Sequence, residues 1–209
     1  SINGRKLHMK LKTVLCAAAL LGAATVNTAT AMEQGDWLIR LGVSNVDPKS
    51  NNHELVSVDS ATSATITFSY MMTANWAVEV LAAYPFEHDI YVVGGPEVGS
   101  TKHLPPTVSL QYHFLPDSTF QPYIGAGVNF TTFFSEKLYG PLEGSKLSLD
   151  DSWGLAAEIG ADFMLGEAWF LNVSARFIDI NTDAKVDGAD IGEVNIDPWV
   201  YGAHVGFRF

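Results

Sequence analysis

Six charged residues of this 209-residue chain sit at alternate positions inside otherwise apolar runs: Arg40, Glu79, Glu158, Asp162, Arg176 and Arg208, with His113 and His204 in the same setting. Carboxylates and guanidinia placed this way can pair with one another, and a carboxylate–imidazole set can also move protons. None of them carries the spacing of a catalytic or metal centre. His53, His88 and His103 fall in or beside predicted loops without ligand spacing. Asp183, Asp187 and Gly188 stand at the first, fifth and sixth positions of a calcium-loop pattern. Lys185 and Val194 then occupy positions that must supply oxygen, and they spoil it. Gly125-Ala126-Gly127 lies within a strand-like alternation rather than ahead of a helix, so it reads as a close strand contact and not a phosphate loop. The chain is read as a non-enzyme with no cofactor and no metal.

The charged positions belong to strands. Toward the end of the chain Trp199, Tyr201, Ala203, Val205, Phe207 and Phe209 share one face, and Pro198, Val200, Gly202, His204, Gly206 and Arg208 share the other. A period of two is a strand. The same alternation predicts strands near 35–44, 64–72, 76–84, 104–114, 120–134, 152–164 and 168–178, eight in all. In each, one face is apolar and aromatic while the other carries Gly, Ser, Thr and the charges. A soluble barrel would turn the apolar face inward; a membrane barrel turns it to lipid.

The front of the chain favours the membrane. Met9, a basic stretch with Lys10 and Lys12, the apolar run 14–24 and the small residues Ala29-Thr30-Ala31 read as a secretory signal over 9–31. That run is too short to span a bilayer as a helix. Residues 1–8 read as a leftover scar or a misplaced start, and 32–209 as one barrel domain. Cys16 reads as a small apolar residue of the signal, and the 178 residues that follow Ala31 hold no cysteine. They carry eight Lys and Arg against 23 Asp and Glu, a formal charge of −15, which excludes nucleic acid as a partner. After the signal no apolar run approaches the length of a membrane helix. A spanning chain without such a helix must close into a barrel, because lipid satisfies no free backbone group.

The connections sort by length. Three are short (73–75, 115–119, 165–167) and four are long (45–63, 85–103, 135–151, 179–195). Short periplasmic turns and long extracellular loops are the pattern of an outer-membrane barrel. Trp37, Trp76, Tyr84, Phe114, Phe134, Trp153, Trp169 and Trp199 stand near predicted strand ends, where interfacial girdles belong. The fold class is thus all-β: an eight-stranded antiparallel transmembrane β-barrel in the outer membrane of a Gram-negative bacterium. Its charged face would point into a lumen just wide enough for side chains to fill. There Arg176 and Arg208 are expected to pair with Glu79, Glu158 or Asp162 and plug the barrel.

Several segments resemble the outer membrane protein W (OmpW) family: HLPPTVSLQY (103–112), FQPYIGAGVNFTTFF (120–134), DSWGLAAEIGADFM (151–164), DPWVY (197–201) and the closing GFRF (206–209). The resemblance touches most strands and fails in the long loops. It implies an outer-membrane channel for small hydrophobic or amphipathic molecules. Solutes would enter from outside, meet a block low in the barrel and leave through its wall into lipid; alkane-uptake channels are among the relatives. By the same resemblance Phe207 and Phe209 would be the signal read by the barrel assembly machinery. Leu81 and Arg176 match channel-lining positions, with Glu79, Glu158, Arg40 and Arg208 completing the lining. Arg176 stands where some members have an aromatic residue, which argues against a uniformly apolar constriction. For Leu81, ordinary interior packing is the other reading.

A lateral opening needs a wall that loses ladder hydrogen bonds. Proline donates none and is confined in sheets to edges and bulges. Pro85 follows the third predicted strand and Pro105-Pro106 heads the fourth, so the gap between them is the candidate exit. The same prolines could instead end those strands above the bilayer; the family resemblance favours the opening. Two function classes stand: the conduit, and a structural or surface-interaction barrel with a closed lumen whose loops meet phage, bacteriocins or host molecules.

Overall fold

The computed structural model describes residues 31–209; the predicted scar and, but for Ala31, the predicted signal lie outside the described residues. The strands in chain order are β1 (Trp37–Asp47), β2 (Val56–Val58), β3 (Ala61–Met71), β4 (Trp76–Ala83), β5 (Phe86–Val92), β6 (Glu97–Leu104), β7 (Thr107–His113), β8 (Phe120–Leu138), β9 (Leu147–Leu149), β10 (Ser152–Met164), β11 (Trp169–Ile178), β12 (Asn181–Val186), β13 (Ala189–Asn195) and β14 (Trp199–Arg208). A 3-10 turn, Gly140–Leu142, interrupts them.

Eight antiparallel wall positions close into a barrel: β1, β3, β4, β7, β8, β10, β11 and β14. β14 pairs with both β1 and β11, and the ring shuts where β8 meets β10 from Phe120↔Phe163 to Ser152↔Thr131. The expected strands are present, and 152–164 matches at both ends.

The four long connections stand where expected, and they carry strands that the alternation did not predict. β5 and β6 continue the third and fourth wall strands upward, β8 runs on to Leu138, and β2, β9, β12 and β13 add short strands beside them. The alternation inverts on passing this level. Within the membrane Leu41, Val80, Leu155 and Ile159 face outward, while Ser44, Thr67, Gln111 and Asn129 are buried inside. In β5 it is Phe86, His88 and Ile90 that point inward, and Glu87 and Asp89 that are exposed. Within the membrane the outer face meets lipid and the polar groups pair with one another inside; above it the outer face meets water, so the apolar atoms turn inward. Phe134, read as a girdle residue, belongs to this extension, paired with Lys102.

Two aromatic belts bracket the wall. Trp37–Tyr70, Trp76–Tyr112 and Trp169–Phe207 pair near one end, at ring separations of 4.9–5.0 Å; Phe130–Trp153 and Phe177–Trp199 pair near the other at 4.8 and 5.7 Å. From Trp153 to Phe163 along β10 is about ten steps of ~3.3 Å, which at a ~40° tilt gives an apolar height of ~25 Å.

Candidate functional site

The lumen is sealed in layers. At the end bearing the short turns, Met32, Leu38, Met71, Ala77, Met164 and Phe170 form a buried apolar cluster. Above it lies the charged set. The Arg40 guanidinium donates to Asp162 from Nε and Nη2 (3.1 and 2.7 Å) and to Glu79 Oε2 from Nη1 (2.9 Å). Arg176 Nη2 donates to Glu79 Oε1 at 2.6 Å and also to Glu158, while Gln111 Nε2 donates to Glu158 Oε1 at 2.9 Å. Glu79 therefore bridges two arginines, one oxygen to each. Arg40 is further clasped by the Tyr123 and Phe170 rings, 5.4 and 5.5 Å away.

These side chains come from strands across the barrel, and glycines make their room. A Cβ on Gly160 would fall on the Tyr123 ring, and one on Gly125 would meet the Glu158 carboxylate. The expectation of a close contact at Gly125–Gly127 holds: a Cβ on Gly127 would collide with the Val108 carbonyl.

Arg208 departs from the expected pairing. It stands opposite Leu38, two rungs toward the short-turn end from Arg40↔Gly206. There it donates to the carbonyls of Ala31 (2.9 Å) and Glu167 (2.6 Å) and lies 3.8 Å from Asp36. Leu81 is buried on the extracellular side of the charges, beside Val200 and a void of only about 10 Å³, which is roughly one water. His204 bonds within the wall to Thr65 and Asn172 at 2.8 and 3.1 Å.

Above the charges the interior turns apolar. Val46, Phe86, Phe133, Ile178, Ile180 and Val200 are buried together. Beyond them opens a partly enclosed chamber of about 90 Å³, lined by residues such as Val58, Ile90, Val98, Leu147, Ala184 and Ile196, drawn from all four long connections. His88 and His103 are its two ionisable lining residues. Reading the connections as loops missed this chamber; the signal was the inward Phe86-x-His88-x-Ile90 set against outward Glu87 and Asp89.

The wall is broken beside the chamber floor. The β4–β7 ladder ends at Leu81↔Thr107 and the β5–β6 ladder resumes at Phe86↔His103. Among the described residues no rung joins 82–85 to 104–106. Each lip is tied to its own outer neighbour instead: the Tyr84 amide donates to Ala64, and the Pro106 carbonyl accepts from the Phe130 amide (3.0 Å). The Pro105 carbonyl accepts from the Thr107 hydroxyl at 3.0 Å. Pro85, Pro105 and Pro106 all lie in this interval, and the proline nitrogens have no hydrogen to leave unsatisfied.

The geometry matches known barrels. The OmpW family profile covers residues 33–209. Outer membrane protein W of Vibrio cholerae is 42% identical over 217 residues, covering 95% of this chain and 100% of that protein. Outer membrane protein W of Escherichia coli K12 is 37% identical over 212 residues, with the same coverage. The crystal structure of the outer membrane protein OprG from Pseudomonas aeruginosa superposes with a TM-score of 0.76 at 36% identity, covering 88% of this chain and 99% of that one. These likenesses and the lipid-facing wall place the protein in the outer membrane of a Gram-negative bacterium. The chain belongs to the OmpW family.

Proposed function

We propose that this barrel is a non-catalytic conduit for small hydrophobic or amphipathic molecules. They enter from outside, dwell in the apolar chamber and leave sideways between β4/β5 and β6/β7, near Pro85, Pro105 and Pro106. The observation that carries this reading is the coincidence of the chamber floor with the break in the wall at the Phe86–His103 rung. Straight passage is opposed by Arg40, Glu79, Glu158 and Arg176, which fill the lumen below and offer an apolar solute no burial. A lateral step returns the solute to an apolar phase, and each Å² kept from water is worth ~25 cal/mol.

The test is to replace Pro105 and Pro106 with Val, restoring two amide donors to the lip. Uptake of a lipophilic fluorescent probe by cells should fall while surface expression and heat-modifiable mobility hold. Undiminished uptake in a well-folded double variant would overturn the lateral route. Equal uptake with and without the unsubstituted protein would remove the conduit reading and leave the surface-interaction one.

A further inference from the structure

The open surface of the chamber is apolar, and the polar groups of its wall, two threonines and one histidine pair, lie just beneath that surface. His88 and His103 line it with stacked rings, centroids 4.8 Å apart and planes inclined by 16°. Both side chains are 2% exposed, and the Nε2 of each is buried with no hydrogen-bond partner among the described residues. The other polar lining groups are satisfied: the Thr182 hydroxyl donates to the Asp150 carbonyl at 2.6 Å, and the Thr101 hydroxyl to Lys102 at 3.4 Å. Buried polar atoms are seldom left unpaired, and two neighbours left so on the wall of a chamber call for an explanation.

The tautomer of His88 follows from its partner. Nδ1 lies 2.6 Å from the Asp59 carbonyl oxygen, which can only accept, so Nδ1 carries the proton. Burial keeps the imidazole neutral. Nε2 is then a bare acceptor that needs a donor. His103 can present Nε2 as donor or acceptor, so the pair can accept one hydrogen bond and donate another. Chelation of a metal ion is disfavoured by the stacking. Lone pairs lie in the ring planes, and two nearly parallel planes do not converge on an ion held ~2.1 Å from each nitrogen. A carboxylate is disfavoured too, since a charge in this dry site would have no countercharge.

We infer that His88 and His103 form a head-group site for molecules with an apolar body and one O–H group: an alcohol, a phenol or an undissociated carboxylic acid. A small shift of the stacked rings on binding uncovers the two buried Nε2 atoms, and the hydroxyl then donates to His88 Nε2 while its oxygen accepts from His103. The chamber's 90 Å³ holds roughly six to nine water-sized groups, so the body is a short chain or a single ring. The inference rests on the conduit reading and sharpens it, because amphiphiles would be retained in preference to plain hydrocarbons of the same length.

The matched probes are 1-octanol and n-octane, added to the full barrel in lipid nanodiscs with 15N-labelled histidine. Octanol should shift the side-chain nitrogen signals of His88 and His103 and octane should not. Octanol should also bind in excess of octane, beyond their ratio of partition into protein-free nanodiscs. In His88→Phe and His103→Phe, which keep a ring in the stack, that excess should fall roughly tenfold with octane binding unchanged. Octane binding without any octanol excess or nitrogen shift would overturn the head-group site and leave the conduit standing. Failure of both probes to enter would overturn the conduit, and the site with it. The nitrogen shifts are read on the unsubstituted protein, so the question is decided even where a variant does not fold.

Discussion

Phe86 and His103 face each other on the first rung above the break in the wall, with rings stacked at 5.4 Å and 18°. Phe86 is 1% exposed and follows Pro85 directly. Its ring occupies the interior where the chamber meets the break. Phe86→Ala should therefore raise lipophilic-probe uptake, at a cost of roughly 3–5 kcal/mol in stability. Uptake and urea midpoint measured on the same preparations check this.

Glu79 is the shared partner of Arg40 and Arg176. Glu79→Ala should destabilise the barrel by roughly 3–5 kcal/mol, because two buried guanidinia lose a carboxylate oxygen each. Glu158→Ala should cost less, since Arg176 keeps Glu79. Urea unfolding in detergent reads both, and equal small losses would show that water hydrates the cluster.

The described wall ends in short turns on one side and the extension on the other. Tags at Asn51, Gly95, Gly144 and Gly188 should be labelled on intact cells. Tags at Asn75, Ser118 and Gly166 should be labelled only after the outer membrane is opened.

Phe209 closes the ladder with Trp37, exchanging hydrogen bonds of 2.9 and 3.0 Å. Deleting Phe209 should lower the heat-modifiable band on unboiled gels, through loss of both these bonds and the proposed assembly signal. Phe209→Ala keeps the backbone bonds, so a loss there reports the ring alone.

Acid should loosen the extension. Burial pushes His103 down to about 3 from 6.5, with the stacked His88 adding to the effect. Burial also lowers His88, against the opposing pull of the Asp59 carbonyl. In unfolded hairpins both would take up protons near 6.5. The extension is thus at full stability above that pH and loses it progressively as pH falls toward 3. Protease cleavage in β5 and β6 should rise between about pH 7 and about pH 4.5, and His103→Phe should flatten the rise.

What was legible follows from what a period can report. Along 152–164 the residues alternate between two aromatic belts with one fault, buried Ala161 beside buried Asp162, and both ends were read correctly. Alternation also assigned Arg40, Glu79, Glu158, Asp162 and Arg176 to the interior. It gives a side chain's face but not its height, so the separation of Arg208 from the cluster needed the register that sets it against Leu38. The extension was missed because its apolar face is the inner one, and because Pro85 and Pro105-Pro106 read as ends of strands that in fact resume.

The break lies level with the upper aromatic belt, since Pro106 bonds to Phe130, which pairs in turn with Trp153. On the proposed lateral route a solute would join the bilayer at the rim of its outer leaflet, not at its centre. The protein would then shorten only the first part of the journey, past the hydrated surface layer. Crossing to the inner leaflet and desorbing from it would be left to the lipid. Delivery should accordingly follow leaflet fluidity and the solute's own flip-flop rate once enough barrels are present, so that the membrane's composition sets the flux as firmly as the number of channels.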